Sequence, residues 1–166
     1  MSVMRLYRQM NAWFEKRPET DRLVRHAGQV LTVLFYASYA ALCIWLWMTD
    51  RQKLKRVLAV PAACYISGSI IRDRINAPRP ADLLPDMKRE CAKKGGKSFP
   101  SRHCFSAAVI AAAFAWIDPR AGLAAGTAAI LMAAERVLEG AHFIRDAAAG
   151  LAYGVLFGWM GFFLKK

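Results

Sequence analysis

Acidic residues are scarce in this chain: 12 Asp+Glu stand against 24 Lys+Arg among 166 residues, a formal net charge of +12. Histidine is scarcer still, with three copies, and His-x3-His and Cys-x2-Cys spacings are both absent, so no metal cluster is legible and no cofactor is called for. The four cysteines are scattered, which excludes a disulfide scaffold, and the 56% hydrophobic content excludes a disordered tail. Internal repeats and low-complexity tracts are also missing. A charge of +12 taken alone suggests a nucleic-acid partner, yet it accompanies a mean hydropathy of +0.20 and long uncharged runs. That combination fits a protein living in lipid, not a nucleic-acid binder, with its basic residues at the membrane edge or around an anion.

Five apolar runs are present. Residues 27–48 hold 22 positions without a charge, enough to span a bilayer, bracketed by Arg22, Arg25 and His26 before and by Asp50, Arg51, Lys53, Lys55 and Arg56 after. The run is too long for a cleaved signal peptide. Residues 57–71 form a shorter run containing Pro61 and Gly68, both tolerated in membrane helices. Runs 104–117 and 121–134 are separated by Asp118-Pro119-Arg120, a tight helix-to-helix turn, and run 147–164 is followed by Lys165 and Lys166. The Ala and Gly content of the third and fourth runs allows close packing in lipid. The predicted fold is therefore an all-α integral membrane bundle of about five transmembrane helices. Before it, Val3, Leu6, Tyr7, Met10, Trp13 and Phe14 recur at helical spacing among basic residues, which predicts an N-terminal amphipathic interfacial helix. The expected division is a basic N-terminal segment over 1–26 and a membrane-embedded domain over 27–166. Whether the first helix touches lipid or protein is left open at this stage. Cys43 and Cys64 read as packing residues, whereas Cys91 and Cys104 could meet in an oxidising space.

Three polar segments sit where apolar runs begin or end. The first places Arg72 seven residues before Arg79-Pro80, and arginine offers planar donors suited to phosphate oxygens; a solvated basic loop is the alternative. The second is Pro100-Ser101-Arg102-His103 at the start of the third run, where a hydroxyl and free backbone N–H groups make an anion site, or Ser101 is a plain N-cap. The third runs from Glu135-Arg136 to His142 and Asp146, four residues apart. On a helix those two would share a face, so that the carboxylate could bond one imidazole nitrogen and sharpen the other as nucleophile or base; a surface ion pair is the alternative.

In order, these segments resemble the signature of the type 2 phosphatidic acid phosphatase family: Lys-x6-Arg-Pro, Pro-Ser-Gly-His, then Ser-Arg-x5-His-x3-Asp. Here they read Arg72-x6-Arg79-Pro80, Pro100-Ser101-Arg102-His103 and Glu135-Arg136-x5-His142-x3-Asp146, within a resemblance covering residues 54–164. The resemblance implies a metal-independent lipid phosphate phosphatase. It makes His142 the nucleophile that carries a phosphohistidine, Asp146 the support of its second nitrogen, and His103 the acid that protonates the leaving oxygen. Arg72, Arg79, Ser101, Arg102 and Arg136 would surround the phosphoryl group. Three positions depart from the signature: Arg72 replaces lysine, Arg102 replaces glycine, and Glu135 replaces serine. A carboxylate aimed at a phosphate repels it, so Glu135 must point away or pair with an arginine.

The implied substrate is amphiphilic: phosphatidic acid, phosphatidylglycerophosphate, or a polyprenyl phosphate or diphosphate. The alternatives are a non-catalytic protein that binds anionic headgroups, and the oxidation chemistry of vanadate-dependent haloperoxidases, whose pocket the family's resembles but which are larger and soluble. The expected location is the cell membrane. Five spans put all three motifs on one face, with 17 of the 24 Lys+Arg, against seven on the other. The positive-inside rule thus pulls the site inward, while the family resemblance favours the outer face. Oligomeric state is not legible.

Overall fold

The structure is a computed structural model that describes residues 3–84 and 95–164. Within them every regular element is a helix: α1 Val3–Glu15, α2 Pro18–Thr49, α3 Arg51–Ile75, the single turn α4 Pro80–Leu83, α5 Arg102–Ile117, α6 Pro119–Leu138 and α7 Ile144–Phe162. The first four expected runs each lie inside one long helix, and the fifth, 147–164, passes the end of α7 by two residues. The helices extend beyond the runs because charged residues cap and flank them without ending them. Helix α2 passes through residues 26 and 27 without a break; its 32 residues span about 48 Å, more than a hydrocarbon core, and Arg25 and Asp21 pair one turn apart in its polar first section.

Two of the turns are made by one aspartate each. Asp50 Oδ1 accepts from the backbone N–H groups of Gln52 and Lys53, at 3.1 and 3.0 Å, and starts α3 one residue after α2 ends. Asp118 Oδ1 does the same for Arg120 and Ala121, at 2.7 and 2.9 Å, with Pro119 pre-set at the first helical position of α6.

Helix α5 is the hub. Cys104, Phe105 and the run Ala107 to Ala111 are buried, as is Ala113, so α5 is apolar all round and enclosed by α3, α6 and α7. The outer helices reverse the pattern of a soluble protein: Leu34, Ile44, Ile66, Leu123, Leu131 and Leu156 all point outward. Such a surface is solvated by lipid. By length and composition, α2, the helix beginning at Arg51, and α6 can each cross a membrane. Tryptophans 45, 47, 116 and 159 gather at the end marked by Asp50 and Asp118. There the guanidinium of Arg51 lies 4.8 Å from the Trp47 ring centre and that of Arg56 lies 5.2 Å from Trp116, an aromatic belt with its cations.

Helix α7 packs onto α5 through Gly150, Gly154 and Gly158, spaced four apart on one face. A Cβ at Gly150 would stand 2.7 Å from the Ser101 carbonyl oxygen, and one at Gly154 would meet the carbonyl oxygen of Phe105 and lie 2.7 Å from the Ala108 methyl. Only glycine allows this approach, which brings the N-termini of both helices together. Cys64 and Cys104 are buried free thiols; Cys91, Lys88, Arg89, Lys93 and Lys94 lie outside the described residues, as do Lys165 and Lys166.

Candidate active site

At the end of the bundle opposite the aromatic belt, the C-termini of α3 and α6 meet the N-termini of α5 and α7. The two N-termini bring a positive field, and the two C-termini deliver Arg72 and Arg136.

Helix α3 stops at Asn76, which takes a left-handed φ of 44°; its side chain accepts from Lys97 N–H at 3.2 Å. Gly96, at φ 66°, fits beside it because a Cβ would lie 2.7 Å from Asn76 Oδ1. Asp82 Oδ2 then accepts from the N–H groups of both Arg79 and Gly96, at 2.8 and 2.7 Å. These bonds staple the strand-like segment 95–98 to the end of α3. As a result Arg79 Nε donates to the Gly96 carbonyl at 3.0 Å, and Ser98 N–H donates to the Ala77 carbonyl at 2.8 Å. Arg72 is buried and donates through Nη1 to the Pro100 carbonyl at 3.0 Å, so the solvated-loop reading fails for it.

Ser101 precedes α5 but does not cap it. Its hydroxyl is buried and pairs with no oxygen or nitrogen, its one recorded partner being the Cys104 thiol, while its N–H donates to the Asp146 carbonyl at 2.9 Å. A buried hydroxyl left open at a helix N-terminus is what an anion site requires.

Helix α6 ends in a Schellman motif: Ala141 N–H donates to the Arg136 carbonyl at 3.1 Å and Gly140 N–H to that of Val137 at 3.0 Å, with Gly140 at φ 72°. That turn throws His142 back over the bundle end, ahead of α7. His142 and Asp146 therefore do not share a helix face, contrary to expectation, because Gly140 ends one helix and only Asp146 belongs to the next. Their link is Ser98. The Ser98 hydroxyl donates to Asp146 Oδ2 at 2.5 Å and lies 3.3 Å from His142 Nδ1. Its single proton is committed to the carboxylate, so it accepts from an Nδ1–H, which leaves the Nε2 lone pair of His142 free. Asp146 Oδ2 also accepts from Phe143 N–H at 3.3 Å.

His142 is 3% exposed, and burial, followed by the cations Arg79 and Arg72 and then His103, pushes its pKa down to about 3. The ring is neutral at physiological pH, the state a nucleophile needs. His103, in the first turn of α5, feels the charges of Arg136, Arg72 and Arg102, so both imidazoles sit in the field of the arginines. Arg136 is held by two carboxylates, Glu135 Oε2 at 3.2 Å and Glu139 Oε2 at 3.0 Å. Glu135 lies against Gly28 of α2, where a Cβ would displace the glutamate side chain. The departure from serine at this position is thereby absorbed: the carboxylate pairs with an arginine. Arg102 takes the other direction, donating to the Tyr65 hydroxyl at 3.2 Å with its guanidinium 5.5 Å from the ring centre, on the His103 side of the site. Among the described residues, no group of three or more His, Cys, Asp or Glu could hold a metal ion.

His103, His142, Arg72, Arg79, Ser101 and Arg136 thus lie at one end of the bundle with Asp146 one layer behind, while the Arg102 guanidinium turns to Tyr65. Sequence reasoning missed Ser98, the α7 glycine stripe and Tyr7, whose hydroxyl bonds the His142 carbonyl. The stripe alone had a local signal, its four-residue period.

Residues 53–165 match the PAP2 superfamily. The chain belongs to that superfamily. A 63-residue stretch is 43% identical to the lipid A 1-phosphatase of Rhizobium etli, covering 38% of this chain and 26% of that protein. A 61-residue stretch is likewise 43% identical to the lipid A 1-phosphatase of Rhizobium johnstonii, covering 37% of this chain and 25% of the other. The chain therefore spans about a quarter of the length of these curated relatives. Among solved structures, Aquifex aeolicus LpxE superposes with a TM-score of 0.75 at 25% identity, covering 98% of this chain and 94% of that one. The first transmembrane PAP2 type phosphatidylglycerolphosphate phosphatase from Bacillus subtilis shares the fold, with a TM-score of 0.64 at 18% identity over 96% and 92% of the two chains. With its apolar exterior and spanning helices, this PAP2 chain is an integral membrane protein.

Proposed function

We propose that this protein is a phosphatase that hydrolyses the phosphomonoester or diphosphate of an amphiphilic lipid through a phosphohistidine. The observation that carries the reading is the gathering of His103 and His142 in the field of Arg72, Arg79 and Arg136, at the end of the bundle where α5 and α7 begin. His142 Nε2 attacks phosphorus while the bond to the lipid oxygen breaks, and His103 gives its proton to that oxygen. His103 then takes a proton from water, whose oxygen displaces His142 and releases inorganic phosphate. Arg72, Arg79 and Arg136, with Ser101 and nearby N–H groups, stabilise the charge of the phosphoryl oxygens, which is where most of the catalysis of phosphoryl transfer lies. No step calls for a metal, so activity persists in EDTA.

Candidate substrates are phosphatidic acid, phosphatidylglycerophosphate, a polyprenyl phosphate or diphosphate, and, given the names of the relatives, the 1-phosphate of lipid A. The site faces outward from the cell membrane in this reading, and a reporter fused after residue 166 then reads as cytoplasmic. Phosphate release from that substrate panel in detergent tests the function. His142→Ala abolishes turnover, and His103→Ala slows it by roughly 10²- to 10⁴-fold. Undiminished hydrolysis by His142→Ala would remove the nucleophile, and a protein that binds these lipids without releasing phosphate would be a headgroup binder instead.

A further inference from the structure

The N-terminal helix reaches the active site through one side chain. Tyr7 is 1% exposed, and its hydroxyl makes two bonds: it donates to the His142 carbonyl at 3.2 Å and accepts from Ile144 N–H at 3.0 Å. Its ring stands edge-on to Phe143, with centres 5.3 Å apart, in a buried cluster completed by Leu84. One hydroxyl thus holds the backbone on both sides of Phe143. Ile144 opens α7, and Phe143 before it has no side-chain oxygen with which to cap the helix. Tyr7 supplies the missing acceptor from another helix.

The turn 142–144 decides where the His142 ring points. Ser98 fixes the ring from its Nδ1 side, and the Tyr7 bonds fix the backbone that carries it. A surface helix anchored only to lipid has no need to bury a tyrosine hydroxyl between a carbonyl and an N–H that are both in the catalytic turn. We infer that Tyr7 is a positioning residue for His142, so that α1 is a working part of the active site as well as a surface helix. This rests on the reading of His142 as the nucleophile.

The test uses the whole chain in detergent with a lipid phosphate it hydrolyses. Tyr7→Phe keeps the ring and removes both bonds. The expected result is a kcat lower by about 10- to 100-fold with KM unchanged, as for a nucleophile displaced by a fraction of a bond length, beside a fall in the melting midpoint no larger than that of Phe14→Ala. Phe14→Ala, which loosens the same helix away from the turn, should lower the midpoint and leave kcat near the wild-type value. Wild-type kcat in Tyr7→Phe, or losses in both variants that follow their stability, would overturn the inference. His142→Ala is assayed alongside. If it is inactive while Tyr7→Phe is fully active, only the role of Tyr7 falls; if it is active, the nucleophile reading falls and takes this inference with it.

Discussion

Two uncharged hydroxyls govern the imidazole that the cations surround. Ser98 sits between Asp146 and His142 and sets the tautomer, a task usually given to the carboxylate directly. Removing it costs twice over, since the ring loses its orientation and a buried carboxylate loses a donor. Ser98→Ala should lower kcat by about 10- to 100-fold, in the range seen when the partner orienting a functional histidine is removed, and should cost stability by about 1–3 kcal/mol. Steady-state kinetics and a melting curve check both, and Ser98→Thr should restore most of the activity. The arginines, histidines and Ser101 were legible in the sequence because each lies in a short segment at the end of an apolar run. Ser98 and Tyr7 were not, because their partners lie 44 and 135 residues away and such pairings leave no local spacing to read.

At the scale of elements, uncharged length located the five long helices, and aspartate followed by proline marked one turn. Length could not place the start of α2, since a count that stops at charges cannot see Asp21 and Arg25 cancel each other one turn apart. Nor could it show that His142 belongs to a turn and not to a helix, although Gly140 holds that information as a left-handed terminus. The contact that matters most here is the glycine face of α7 on α5. Gly154→Val would place side-chain atoms in the Phe105 carbonyl and part the two N-termini, so both yield of monodisperse protein and activity should collapse. Gly126→Ala on α6 meets open space and replaces glycine by a better helix former, so size-exclusion profiles and turnover should match the wild type, with a gain of up to about 1 kcal/mol in stability.

The molecule as a whole separates its chemistries by depth. The two catalytic imidazoles and their arginines gather at one end, four of the tryptophans with their own cations at the other, and the girth between is bare hydrocarbon. Charge should be tolerated at the ends and refused in the middle. Leu131 lies on the outer face of α6 at 54% exposure, where a soluble protein would accept arginine freely. Leu131→Arg should instead cost insertion about 2.5–3.5 kcal/mol at the bilayer centre, visible as a loss of protein from the membrane fraction.

The enclosure of α5 also carries a consequence for biosynthesis. Helices α5 and α6, joined through Asp118 alone, leave the ribosome as one hairpin, and α5 has no finished surface of its own until α7 arrives to cover it. The turn bearing His142 takes its shape only when the glycine face of α7 closes on α5 and Tyr7 of α1 bonds the turn. A nascent chain therefore gains its catalytic potential only once α7 has been inserted, and is inert until then.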